Sequence, residues 1–191
     1  MKRDDTQLAA FGSSHDALNF AYKHAHGDYP RNMLAKFGAR QPGKATAIKN
    51  AIEAATVAGW VRQVIEGGET AKGLPEPYRS VLLAKFAVDS RLNLTAKMVV
   101  LEHVLALALG TGLHKRRMVD LCVQRYFGGT MVGTDGVRRP IRQHQVADWC
   151  DVSQPTVSNT YGKVRDWIMS KERDALALVE QSLVARGMVA G

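Results

Sequence analysis

Four polar side chains able to read nucleic-acid bases, Gln154, Ser158, Asn159 and Lys163, recur at intervals that place them on one side of a helix. Gln and Asn can each pair bidentately with adenine, Ser can meet a base edge or a phosphate, and Lys can reach guanine or phosphate. Just upstream stand Arg138, Arg139 and Arg142, and Gln143, Ser153 and Thr156 add short polar side chains suited to phosphate oxygens. The first four are the candidate base contacts. The other six are the candidate phosphate contacts.

Those residues need a scaffold, and the stretch Gln143 to Asn159, QHQVADWCDVSQPTVSN, has the spacing of a helix-turn-helix. Ala147 is small because two helices crossing steeply leave no room for a larger side chain, and Val146, Val152 and Val157 fill the wedge between them. The turn falls at Cys150-Asp151-Val152, with Asp151 where such motifs usually carry glycine, so the backbone there is expected at positive φ, which Asp tolerates better than most residues. Ser153 is a good N-cap and Pro155 falls in the first turn of the next helix, where its missing N–H costs nothing. Val157, Tyr161, Val164 and Ile168 then return one face of that helix to the core, leaving the candidate base contacts on the free face. Gly162 either leaves a bare patch where the helix backbone can approach DNA or permits tight packing against Trp149.

At 191 residues the chain suffices for one large domain or two small ones, and 46% hydrophobic residues can build a core. A net charge of +8 favours an acidic partner such as nucleic acid. Cys122 and Cys150 lie in amphipathic helices without CxxC or Cys/His spacing, which predicts two buried free thiols in a reducing cytosol and no structural zinc. His24 and His26 have no third ligand at sensible spacing, so no metal and no cofactor are expected. The N-terminus carries no hydrophobic stretch of the signal-peptide kind, and the most apolar run, Met98 to Leu109, is too short to cross a bilayer. No membrane association and a cytoplasmic location are expected. No P-loop, GxSxG, carboxylate pair flanking a His or Mg²⁺-binding acidic cluster is present, which argues against an enzyme.

Periodicity predicts an all-α multi-helix bundle of about eight helices with at most one short β-hairpin. Ser14 and Asp16 open a first helix through Ala17, Leu18, Ala21 and Tyr22, ended by Gly27, and a short second one follows Pro30 and stops at Gly38. Ile48 to Glu66 forms a long helix closed by Gly67-Gly68, and Tyr78, Val81, Leu82 and Phe86 mark another, after which Asp89-Ser90-Arg91 turns the chain. Thr95 to Leu109 is apolar on nearly all faces and is expected at the centre with the rest packed around it. The helix of Met118, Leu121, Cys122 and Tyr126 opens with Lys115-Arg116-Arg117, three cations opposing the helix dipole, which suggests either a phosphate partner or a solvated basic turn. Gly128-Gly129 to Val137 is glycine-rich, with Asp135-Gly136 flanked by Val132 and Val137, and is expected as a short hairpin between Gly129 and Arg139 or as a mobile loop. Ala175, Leu176, Val179, Leu183 and Val184 line a final helix that either completes the core or forms a dimer contact. The expected division is a helical body at 1–128, a basic linker or hairpin at 129–142, and the helix-turn-helix with its C-terminal helix at 143–191.

SQPTVSN followed by a basic helix resembles the helix-turn-helix of sigma factor region 4 and of many bacterial and phage regulators, which implies double-stranded DNA as partner. The whole layout, with ALNFAYKHAHGDYP early, an apolar central helix, DLCVQRYFG and a late helix-turn-helix, resembles a phage late-gene regulator of the Q antitermination class. That resemblance implies a transcription antitermination factor in the bacterial host cytoplasm that binds late-promoter DNA and RNA polymerase. The zinc-binding cysteines of one branch of that class are absent. The alternatives are a conventional operator-binding regulator, expected as a symmetric dimer on a palindromic site, and a small-terminase-like DNA-packaging subunit, whose helix-turn-helix usually stands at the N-terminus. The oligomeric state stays open. The roughly 140 residues before the motif exceed what it needs for support, so Arg31, Lys36, Arg40, Lys115, Arg116 and Arg117 are candidates for a second surface, facing polymerase or extending the DNA footprint.

Overall fold

The computed structural model describes residues 10–24, 51–68, 72–108, 116–132 and 136–189. Among these lie helices α1 (Ser14–His24), α2 (Ala51–Glu66), α3 (Tyr78–Phe86), α4 (Ser90–Ala108), α5 (Arg116–Tyr126), α6 (Gln143–Cys150) and α7 (Gln154–Ala185). The only strands among them, β1 (Thr130–Val132) and β2 (Arg138–Pro140), pair antiparallel between α5 and α6, so the chain is all-α with one short hairpin. The expected helix between Pro30 and Gly38 lies outside the described residues. So do Arg31, Lys36, Arg40 and Lys115 of the candidate second surface.

The chain forms two compact units that are not consecutive stretches: one takes residues up to Pro75, Phe86–Asp89 and Asp174 onward, the other Glu76–Lys85 and Ser90–Arg173. Both expected divisions, after 128 and after 142, fall inside the second unit. In the first unit, the Ser13 Oγ accepts from the Asp16 N–H at 3.1 Å and caps α1. Ala17 and Ala21 on α1, with Ala54 and Ala58 on α2, keep no surface in water, and such small side chains let helices approach closely. Tyr22 donates its hydroxyl to Glu66 at 2.9 Å, and burial, reinforced by that carboxylate, pushes its pKa upward. Gly67 ends α2 at φ 84°, a conformation that costs glycine little. From the end of α7, Ala175, Val179 and Leu183 are fully buried, so this stretch completes a core, as one of its two expected roles requires. Val184, expected on the same face, is 36% exposed.

The core of the second unit gathers Val100 and Val104 of α4, Val119 and Val123 of α5, Val146 and Ala147 of α6, and Val157, Val164 and Ile168 of α7. Met131 of β1 and Ile141 join it and tie the hairpin down. Two expectations for α4 fail here. It begins at Ser90, five residues before Thr95, so Ser90 and Arg91 are helical and no longer turn residues. It is also not enclosed: Leu94, Met98 and Leu107 are each more than half exposed, while burial is confined to Ala96, Val100, Leu101 and Val104. An apolar composition says how much of a helix could be buried, but the number of neighbours decides how much is.

Cys122 and Cys150 are both free and buried. Burial pushes the Cys122 thiol up to about 12. The folded state therefore holds a proton that the unfolded thiol, with its ordinary value of 9.0, releases, and stability should fall as pH climbs from about 9 toward 12. A thiol reagent at neutral pH is expected to modify neither cysteine until the chain unfolds. The Cys122→Ala variant should show a flatter alkaline loss of Tm than the parent, and an equally steep loss would contradict this.

Candidate nucleic-acid interface

The corner between α6 and α7 fixes the site. Asp151 adopts φ 52°, ψ 56°, the left-handed conformation expected of it, and the Val152 N–H reaches back to the Ala147 oxygen at 3.1 Å. That six-to-one bond is the Schellman ending of a helix, here with Val152 packed on the core cluster beside buried Ala147. Ser153 then caps α7: its Oγ accepts from the Thr156 N–H at 3.4 Å and lies 2.8 Å from the Thr156 hydroxyl. Pro155 sits in the first turn, as expected.

With the corner set, the inward face of α7 is Val157, Val164 and Ile168, none more than 1% exposed, together with buried Thr160. Gln154, Ser158, Asn159 and Lys163 are all exposed, on about one half of the helix circumference. The four expected base contacts therefore share a solvent-facing surface. Arg165 and Asp166 further along pair at 2.8 Å, so the carboxylate near this face carries its own counter-ion.

The six expected phosphate contacts divide. Arg142 holds the N-cap of α6 in an extended conformation (φ −103°, ψ 152°), and its N–H is taken by the Gln145 side chain at 3.0 Å. Its own side chain is exposed at a helix N-terminus, where a cation opposes the dipole, so helix stability does not account for it. Gln143 opens the same turn, half-buried. On β2, Arg138 stands opposite exposed Val132 and Arg139 opposite buried Met131. Residues facing each other across a ladder share a side of the sheet and neighbours alternate, so Arg138 and Arg139 leave opposite sides of the hairpin. Ser153 and Thr156 are exposed but already hydrogen-bond each other in the cap of α7.

Of the proposed second surface, the described cations have partners inside the fold. Arg116 forms an ion pair with Glu102 of α4. Arg117 stacks over the Trp149 ring at 5.4 Å. These interactions give local reasons for both described cations at the start of α5. Sequence reasoning missed a related brace, in which the Arg125 guanidinium lies 4.5 Å from the centre of the Tyr161 ring and joins the last turn of α5 to α7. It missed His103 stacked on Trp167 at 6.4 Å as well. Each pair joins residues far apart in sequence, and no local pattern announces such a pairing.

A recess of about 310 Å³ elsewhere in this unit is lined by Lys85, Tyr126, Phe127, Gly128 and Glu172. Its polar groups serve one another: Glu172 pairs with Lys85 and accepts from the Tyr126 hydroxyl at 2.9 Å. Among the described residues no group of three or more His, Cys, Asp or Glu is placed to hold a metal ion, and no helix is long and apolar enough to cross a membrane. No protein-family model matches the chain, and neither does any curated protein.

The left-handed turn is the most exacting local demand in the site. Asp151→Val, which places a β-branched residue at positive φ, should lower stability by about 1–2 kcal/mol, whereas Asp151→Asn, which tolerates that conformation, should lose less. Thermal unfolding of the two variants checks this, and equal Tm values would contradict it.

Proposed function

We propose that this chain is a sequence-specific double-stranded DNA-binding regulator of transcription that inserts the outward face of α7 into the major groove. The observation that supports this reading best is the sorting of side chains on one capped helix. Val157, Val164 and Ile168 anchor it inward, and Gln154, Ser158, Asn159 and Lys163 project into solvent. Gln and Asn on such a face match the donor and acceptor pair of adenine, and a major groove about 12 Å wide admits one helix. Arg142 at the head of α6 and Arg138 on the hairpin supply the positive charge that flanking phosphates require. The net charge of +8 adds a long-range attraction for the duplex.

Base and phosphate recognition separate in solution. Gln154→Ala or Asn159→Ala should each weaken binding to the preferred duplex by about 1–3 kcal/mol while leaving nonspecific binding nearly intact. Arg138→Ala and Arg142→Ala should instead weaken binding to every sequence, and each should flatten the salt dependence by about one unit of slope, the share of a single neutralised phosphate. Fluorescence anisotropy over a salt series reads both. Retention of parental affinity and slope in all four variants would contradict the assignment.

Within this class we favour a Q-like antitermination factor that also engages RNA polymerase, on the strength of the resemblance in layout and of the helical material beyond the motif. A conventional operator-binding regulator is the alternative. The full-length chain carrying both Gln154→Ala and Asn159→Ala should still retain RNA polymerase in a pull-down while losing its preferred DNA. Failure of both the parent and the double variant to retain polymerase would favour the operator-binding regulator.

A further inference from the structure

Gly162, itself half-buried, lies within α7, and around the helix it falls between Ser158 and Asn159, one turn further on, so that exposed polar side chains flank it. Glycine weakens a helix interior relative to alanine, because it gives up more backbone freedom on folding. A fold-based reason would be a neighbour too close for a methyl group, or a backbone at positive φ. Gly162 has neither: a Cβ built there meets nothing within 4 Å, and its φ lies outside the positive range. The same open space removes tight packing against Trp149 as its reason. Gly59 in α2 is equally unobstructed, so open space alone assigns no role. What sets Gly162 apart is its place among the four side chains read as base contacts.

We infer that Gly162 is the point of closest approach between α7 and the floor of the DNA major groove, and that its bare backbone sets the depth at which Gln154, Ser158 and Asn159 meet base edges. This inference rests on the DNA-binding reading and adds to it a positioning residue that makes no hydrogen bond of its own. A methyl group at the centre of a helix face pressed against base pairs lifts the whole face, so every neighbouring hydrogen bond lengthens together. Direct hydrogen bonds weaken steeply over such displacements.

The test uses the full chain and the duplex that the parent enriches from a randomised pool. Gly162→Ala should raise Tm by about 1–4 °C, because alanine is the better helix former and nothing obstructs its methyl group. The same variant should lose affinity for the enriched duplex by about tenfold, comparable to the loss of one base pair of recognition, while binding to an unrelated duplex changes less. Gly162→Leu should lose more. A stabilised Gly162→Ala that binds the enriched duplex as the parent does, with Gly162→Leu equally unaffected, overturns the inference and leaves the DNA reading standing. If the parent enriches no sequence, the DNA reading fails and the inference with it.

Discussion

The site depends on one backbone constraint, the left-handed turn at Asp151. A helix cannot reverse into a second helix within three residues unless one residue leaves the right-handed region, and here the Asp151 conformation, with the Val152 N–H returned to Ala147, achieves that. The rotation of α7 about its axis follows. Val152 lies against the core, Ser153 caps, and the next inward positions must be Val157 and Val164. Moving the helix start by one residue would rotate the helical pattern by over a quarter of a turn. Buried valines and exposed amides would then no longer keep separate sides.

Charge is sorted with the same consistency. Arg116 pairs with Glu102, while Arg117 and Arg125 lie over aromatic rings, so these cations contribute within the fold of their own unit. Arg142 is different, being exposed at a helix N-terminus where its charge is locally unfavourable. A protein whose basic residues were only solvating groups would have little reason to hold one there. Arg138 leaves the outer side of a hairpin that ends immediately before the same helix.

Much of the corner between α6 and α7 was legible in the sequence because its determinants are local. The small residue at Ala147, the turn at Asp151, the cap at Ser153 and the proline at 155 lie within one short stretch, and each constrains its neighbours through the backbone. The hairpin was half legible, since its glycine-rich stretch fits a hairpin or a loop, and the end of α2 was legible from its periodicity and the following glycines. What could not be read depends on distant partners. The apolar run of α4 suggested enclosure, but Met98 and Leu107 are each 55% exposed, and nothing within the run says which of its residues face the core. The braces through Trp149 and Tyr161, and the Lys85–Glu172–Tyr126 cluster, join residues from different elements. The compact units also cross the sequence order, since the end of α7 belongs with α1 and α2.

The outward face of α7 and the head of α6 are proposed to form one duplex-binding surface, on which the proposed DNA recognition depends. Backbone amide shifts of the isotopically labelled chain, followed by NMR during titration with double-stranded DNA, test it most directly. The largest changes are expected at residues 138–143 and 153–166, with α1 and α2 unaffected. Changes centred elsewhere, or none at duplex concentrations that saturate nonspecific binding, would contradict it.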